Sequence, residues 1–228
     1  MAEGAQVILV DLLQVPLKAL AQELGSQASF HCADVTDDRA CREMVDLAVH
    51  RFGRLDVAVL NAAVAGRVER LVDYPVETFD HVMAVNVRGT WLGLKYAMKA
   101  MASTGGSIVV MSSTSGARAT PNMSAYVASK HAVIGLVRAA AMDGAGQRIR
   151  VNSVAPASID TPMARDLNQG AFSEANTTET KARLIPLGRQ GTSAEVAHMI
   201  LFLATDEASF CTGGVYMVDG GATAGRAE

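Results

Sequence analysis

Three residues in this 228-residue chain have the types and spacing to move a proton: Ser113, Tyr126 and Lys130. On a helix, Tyr126 and Lys130 fall four residues apart on one face, with β-carbons about 5–6 Å apart. An ammonium beside a phenol favours phenolate, which predicts a tyrosine pKa drawn down toward working pH. Ser113, at the end of the preceding strand, could donate a hydrogen bond to a substrate oxygen next to that phenol. Each piece also has a plain structural reading. Tyr-x-x-x-Lys pairs occur on many helices, and Ser112-Ser113 after a strand is ordinary turn chemistry. The ordered set of strand, Ser113, Tyr126 and Lys130 is far more specific.

The elements that must position this set are legible on either side of it. Gly105-Gly106 open the apolar, β-branched stretch Ser107–Met111, which reads as a buried strand. A loop bearing Gly116 and Pro121 follows, and Ser124 is placed to cap the helix that carries Tyr126 and runs to about Met142. Upstream, Gln6–Val10 reads as a strand ending at Asp11, and Ala28–Cys32 as a weaker one leading to Asp34-Val35. Leu55–Leu60 is a further strand, ending at Asn61-Ala62-Ala63. Helices are expected over Leu17–Leu24, Arg39–Arg51 and Val76–Met101, the last interrupted around Asn86–Gly89. Downstream, Arg148–Val154 leads into Ala155-Pro156, Ser193–Leu203 is helical, and Val215–Val218 is a last strand before Asp219-Gly220-Gly221. Met163–Ile185 reads as a polar, irregular, mobile cover, and the chain from about Ala222 onward as a frayed tail.

Strands alternating with helices imply a parallel sheet with helices on both faces. In such sheets ligands bind beyond the carboxyl ends of the strands. Asp11, Asp34, Asn61, Ser113 and Pro156 all fall at strand ends, so the pattern places them along one rim.

Composition narrows the function class. Half the residues are hydrophobic and 19% are charged, which suits one compact α/β domain over residues 1–228. A net charge of −3 and scattered Lys and Arg argue against nucleic acid as a partner. Three cysteines without C-x-x-C spacing argue against a disulfide framework or a zinc site, and no metal site is expected. No signal-peptide pattern and no membrane-length apolar run are present, so a cytoplasmic location without membrane association is expected.

With these residues in place, the chain resembles the short-chain dehydrogenase/reductase family from about Gly4 to Gly221. The resemblance implies a Rossmann-like, doubly wound parallel sheet in a three-layer α/β/α arrangement. It implies a catalytic set of Asn86, Ser113, Tyr126 and Lys130, with Asn86 positioning a water in a proton relay. It further implies cofactor contacts from Asp11, Asp34, Val35, Asn61, Ala62, Tyr126, Lys130, Pro156, Ile159 and Thr161. Asp34-Val35 resembles the pair that holds the adenine ring, and Ile159 and Thr161 stand at the nicotinamide carboxamide. Asp11 is suited to accept hydrogen bonds from the adenosine ribose and to repel a 2′-phosphate, which favours NAD over NADP. The implied reaction interconverts a secondary alcohol and a ketone, in a homo-oligomeric enzyme (tetramer or dimer) built on helices near Trp91–Met101 and Ala125–Met142.

The chain departs from the family pattern at its start. The usual first strand, glycine-rich G-x-x-x-G-x-G turn and first helix have no counterpart, so the expectation is a truncated domain lacking about 25–30 residues. That turn would bring backbone N–H groups to the cofactor pyrophosphate. The two strands flanking the absent one would then either close up and pair or leave a gap that a neighbouring chain could fill. Ala62, Val64 and Ala157 replace an asparagine and two glycines usual in the family. The alternative to an enzyme is a catalytically silent homologue acting as a binding or assembly partner.

Overall fold

The computed structural model describes residues 4–169 and 185–225. Its centre is the apolar strand before the serine pair. Gly106–Met111 (β4) alternates its side chains between two separate cores, as the two-residue period of a strand requires. Ile108 and Val110 face a cluster with Leu94, Met101, Val133, Val137, Ile149 and Val151. Val109 points the other way, to Val154, Val196, Leu203 and Ala208. All three are fully buried, each worth about 1.5–3 kcal/mol relative to exposure.

Four strands form one parallel sheet in the order β3 (Val57–Leu60), β4, β5 (Ile149–Pro156) and β6 (Val215–Val218). A second parallel pair joins β1 (Val7–Asp11) to β2 (Ala28–Cys32). No ladder joins β1 to β3, and Val57 and Val59 remain 37% and 45% exposed, the high values expected of an unpaired edge. The fold is therefore the expected Rossmann-like α/β arrangement, with its sheet in two parts. No helix among the described residues is long and apolar enough to cross a membrane.

The helices begin and end where local chemistry dictates. Asp37 caps α2 (Asp38–Phe52) by accepting from the Ala40 N–H at 2.8 Å, and Gly53 closes it in a left-handed conformation. Thr192 and Glu195 form a reciprocal capping box on α7 (Ser193–Ala204). The remaining helices are α1 (Gln14–Leu24), α3 (Val76–Met83), α4 (Thr90–Met101), α5 (Ser124–Gly144) and α6 (Pro162–Gln169).

Several expectations shift. The predicted interruption at Asn86–Gly89 is a π-helical turn, Ala84–Gly89, which joins α3 to α4 without a break. A β-carbon on Gly89 would lie 3.2 Å from the Val35 carbonyl oxygen, so the bulge packs directly on the loop after β2. Ser124 is the first residue of α5 and makes no cap; Met123 stands before it. Met163–Gln169, expected to be irregular, lies within the helix Pro162–Gln169, and residues 170–184 of that predicted cover lie outside the described residues. Ala222, expected in a frayed tail, is buried and its carbonyl accepts from the Arg118 guanidinium at 2.8 Å. Leu92 and Leu94 are core residues, while Trp91 is 48% exposed.

The loop after β4 crosses α5 at Gly116, where a β-carbon would lie 2.7 Å from both the Lys130 carbonyl and the Ser112 hydroxyl oxygen. The carbonyl cannot retreat without moving the helix, and the hydroxyl can turn away only by giving up its bond to that carbonyl. Gly116→Ala is expected to cost about 1–3 kcal/mol by overpacking. In urea unfolding the midpoint should fall with an unchanged slope.

Candidate active site

Because β1, β3, β4 and β5 all run parallel within their sheets, Asp11, Asn61, Ser113 and Pro156 stand at or just beyond carboxyl ends. Ser113 follows β4 in extended conformation, and its Oγ accepts from the Ser115 N–H at 3.1 Å, capping the short turn Thr114–Gly116. That turn packs on α5 and brings Ser113 to Tyr126. Lys130 lies one turn further on, 3% exposed, and its Nζ donates to the Met111 carbonyl at 2.9 Å. The same Nζ stands 5.5 Å from the centre of the Tyr126 ring.

The electrostatics differ from the expectation of a tyrosine pKa lowered by lysine. Burial pushes the Tyr126 phenol above its ordinary value, with the Ser113 hydroxyl pulling weakly the other way. Burial also pushes the Lys130 ammonium down to about 8. Both groups lose water on folding, and desolvation disfavours whichever form is charged. Near neutral pH the site therefore holds a neutral phenol, able to give up a proton, beside a mostly protonated lysine.

Asn86 sits in the π-helical turn, 1% exposed. Its Oδ1 accepts from the Val64 N–H at 2.8 Å, and its Nδ2 donates to the Val64 carbonyl at 2.9 Å and to Ser129 Oγ at 3.0 Å. Its backbone carbonyl accepts from Thr90 Oγ1 at 2.7 Å. Both side-chain N–H donors are spent on protein, so the side chain ties the loop after β3 to α5 and has no donor left for a relay water. Ser129, fully buried, completes this link and was given no role by sequence reasoning. The signal was present: a small polar residue on a buried face of an otherwise apolar helix, between Tyr126 and Lys130.

The outer residues fall into place unevenly. Asp11 is exposed; its Oδ1 accepts from the Leu13 N–H at 2.9 Å, which leaves the other oxygen for a ligand hydroxyl. Asp34 folds back on the Thr36 N–H at 2.8 Å, which holds its carboxyl below the usual range. Val35 packs against Gly89 and the Cys41 cluster. Asn61 and Ala62 are exposed just beyond β3. Ile159 is drawn into the β6-side core, and Thr161 accepts from the Ala164 N–H at 3.3 Å in the first turn of α6. These two residues are therefore occupied by packing and capping as well as placed near the rim.

This donor set fits the ribose and nicotinamide ends of a dinucleotide: a carboxylate at Asp11, an amide at Asn61 and the buried ammonium of Lys130. No glycine-rich turn among the described residues offers backbone N–H groups to a pyrophosphate.

Comparison with known proteins agrees with this fold. The family profile described as Enoyl-(Acyl carrier protein) reductase matches residues 1–223. The chain is 40% identical to trans-4-hydroxycyclohexanecarboxylate dehydrogenase of Sinomonas cyclohexanicum, over 99% of this chain and 86% of that protein. It is 36% identical to a 3-alpha-(or 20-beta)-hydroxysteroid dehydrogenase of Mycobacterium tuberculosis, over 100% of this chain and 83% of that protein. Among solved structures, levodione reductase superposes with a TM-score of 0.92 at 33% identity, covering 98% of this chain and 90% of the other. ElxO with NADP bound gives 0.89 at 32% identity, covering 98% and 91%. NAD+-bound xylitol dehydrogenase gives 0.89 at 29% identity, covering 95% and 88%. The last two neighbours thus hold nicotinamide nucleotides of both kinds.

The buried Lys130 makes a stability prediction. With the folded pKa at about 8 against an ordinary 10.5, the folded chain binds fewer protons than the unfolded chain between these values. Stability from this group therefore rises with pH across that window, and below about pH 8 the buried charge is a standing cost of about 3 kcal/mol. Lys130→Met, which leaves the Met111 carbonyl without this donor, is expected to stabilise the chain by about 1–3 kcal/mol below pH 8. The gain should shrink as pH rises toward 10, measured as the difference in melting temperature between variant and parent.

Proposed function

The chain belongs to the short-chain dehydrogenase/reductase family, and from that premise we propose that it interconverts a secondary alcohol and a ketone using NAD(H). The observation that carries this reading is the convergence of Ser113, Tyr126 and Lys130 at the end of β4, with an exposed carboxylate at the end of β1. Relatives that act on hydroxycyclohexanecarboxylate and hydroxysteroids support a small cyclic secondary alcohol or ketone as substrate.

The nicotinamide nucleotide, when bound, supplies the hydride acceptor or donor. Asp11, Asn61, Lys130 and the segment from Pro156 to Thr161 would hold it, with Asp34 and Val35 at its adenine end. For ketone reduction, the neutral Tyr126 phenol gives its proton to the carbonyl oxygen. For oxidation, the phenolate takes the proton of the alcohol. Ser113 donates to the substrate oxygen and stabilises the charge that builds there. Lys130 keeps a positive charge beside the phenol, so the phenolate form is met by a fixed counter-charge as it appears.

Preference for NAD over NADP rests on Asp11, whose carboxylate favours ribose hydroxyls and repels a phosphate in their place. The same reading carries a cytoplasmic, homo-oligomeric enzyme of one domain. Exposed Trp91 on α4 and Met142 on α5 support those helices as the subunit contact.

One observation favours the second reading, a silent homologue working as a binding partner. Among the described residues β1 and β3 each pair with only one neighbour. Calorimetric titration separates the readings: micromolar NAD+ binding supports the enzyme, and no binding at millimolar nucleotide supports the silent homologue.

Turnover tests the chemistry. Parent protein is expected to reduce NAD+ in the presence of a cyclohexanol, with kcat/KM rising with pH because the phenol must first ionise. Tyr126→Phe should remove turnover, and activity surviving that change would contradict the assigned proton path. Asp11→Ser should narrow the preference for NAD+ over NADP+ by about tenfold or more, about 1.4 kcal/mol. An unchanged ratio would remove Asp11 from cofactor selection.

A further inference from the structure

The bonds around Asn86 lead beyond the three reacting residues. Ser129 is fully buried and its hydroxyl is used twice: it accepts from Asn86 Nδ2 at 3.0 Å and donates to the Tyr126 carbonyl at 2.7 Å. Asn86 in turn grips both backbone groups of Val64. A continuous chain of hydrogen bonds therefore runs from the loop after β3, through the π-helical turn, into the backbone of the residue that bears the phenol. We propose that Ser129 is a positioning residue for proton transfer, setting where Tyr126 stands relative to Ser113 and Lys130. This rests on the dehydrogenase reading of the site.

Local geometry explains why one hydroxyl matters here. Tyr126 is the third residue of α5, in the first turn, where the backbone N–H groups lack intrahelical partners, and the Ser129 hydroxyl adds a side-chain bond to its carbonyl. The next turn of α5 is held to β4 and the loop after it by Gly116 against the Lys130 carbonyl and by Lys130 Nζ on the Met111 carbonyl. Ser129 ties the helix to the π-helical turn. A serine bonding back to a carbonyl three residues earlier slightly bends a helix. Here that bend is locked by a second partner from another element. Asn86 and Ser129 are both buried, so removal of the hydroxyl strands one Asn86 N–H. Its recovery of a partner requires Asn86, Val64 or the first turn of α5 to move. A shift of about 1 Å at a reacting group can cost about a hundredfold in rate.

Alternative roles make different demands. A purely structural Ser129 would lower stability and leave the phenol unmoved. A catalytic role is excluded by its burial and by its two protein partners. The charged group beside the phenol is Lys130, on its own helix, and no carboxylate contributes to the shift of Tyr126.

The test uses the full chain carrying Ser129→Ala, Ser129→Thr, Asn86→Ala, and Ser129→Ala with Asn86→Ala combined. Steady-state kinetics with NAD+ and cyclohexanol should show kcat down about 10–100-fold in Ser129→Ala, with nucleotide affinity within about twofold of the parent. Ser129→Thr, which keeps the hydroxyl, should recover most of the loss. The double variant should be no slower than Asn86→Ala alone, since both changes break one chain of bonds. An unchanged kcat, a loss shared with nucleotide affinity, or additive effects would overturn the proposal. Should the parent itself show no turnover, the dehydrogenase reading has failed. The positioning claim is then read from tyrosinate absorbance, with Tyr126→Phe as the reference. Ser129→Ala should move the Tyr126 midpoint upward, because a displaced phenol loses the pull of Ser113, and an unmoved midpoint would overturn it.

Discussion

A lysine buried with no carboxylate beside it among the described residues is the constraint on which the rest of this structure turns. Lys130 is enclosed by β4, the loop after it and its own helix, where its ammonium donates to a backbone carbonyl and faces the Tyr126 ring. Such burial is unfavourable, and it holds only because the neighbouring packing is strong. β4 sends fully buried side chains into two cores, and α5 lays Val133, Val137 and Ala141 against one of them. Those apolar contacts stabilise the sheet and helix enough to keep the ammonium in place. The strain and the chemistry have one source: the water removed from Lys130 is the water removed from Tyr126.

The second layer of organisation is the π-helical turn. An ordinary α-helical path from α3 to α4 would present Asn86 at a different angle to Val64 and Ser129. One extra residue in the turn lets a single amide hold a loop and a helix together while Gly89 lies against the loop after β2. The β1–β2 pair is thereby attached to the remainder through α2, α4 and this turn, by Cys41, Leu92 and Tyr96 and by the contact of Arg88 with the Thr36 carbonyl. The part of the chain that carries Asp11 and Asp34 is thus held to the part that carries Ser113, Tyr126 and Lys130 by side-chain packing, since no ladder among the described residues joins the two sheets.

Local signals in the sequence were strong enough to place most elements. A β-branched run announced β4, Gly53 ended α2, and Thr192 with Glu195 opened α7. The Ser113, Tyr126 and Lys130 set could be found because its members lie close along the chain. Features set by distant contacts were less legible. The break at Asn86–Gly89 showed only as a weakness, because a π-turn is selected by what Val64, Ser129 and Val35 require of it. The sign of the Tyr126 shift was misread for the same reason: spacing along a helix places an ammonium near a phenol, while burial is decided by the loop and strand that close over both. Ser129 passed unremarked because its partner lies 43 residues away. Trp91, Leu92 and Leu94 could not be sorted from sequence, and packing separates the exposed indole from the two core leucines.

The most direct measurement is the titration of the Lys130 side-chain ammonium itself, followed by nitrogen-15 NMR with Lys130→Met to assign the signal. The account predicts a midpoint near the value of about 8 that burial imposes. A midpoint at the ordinary lysine value of 10.5 would contradict it, because the group would then be solvated and the site around Tyr126 would be open to water.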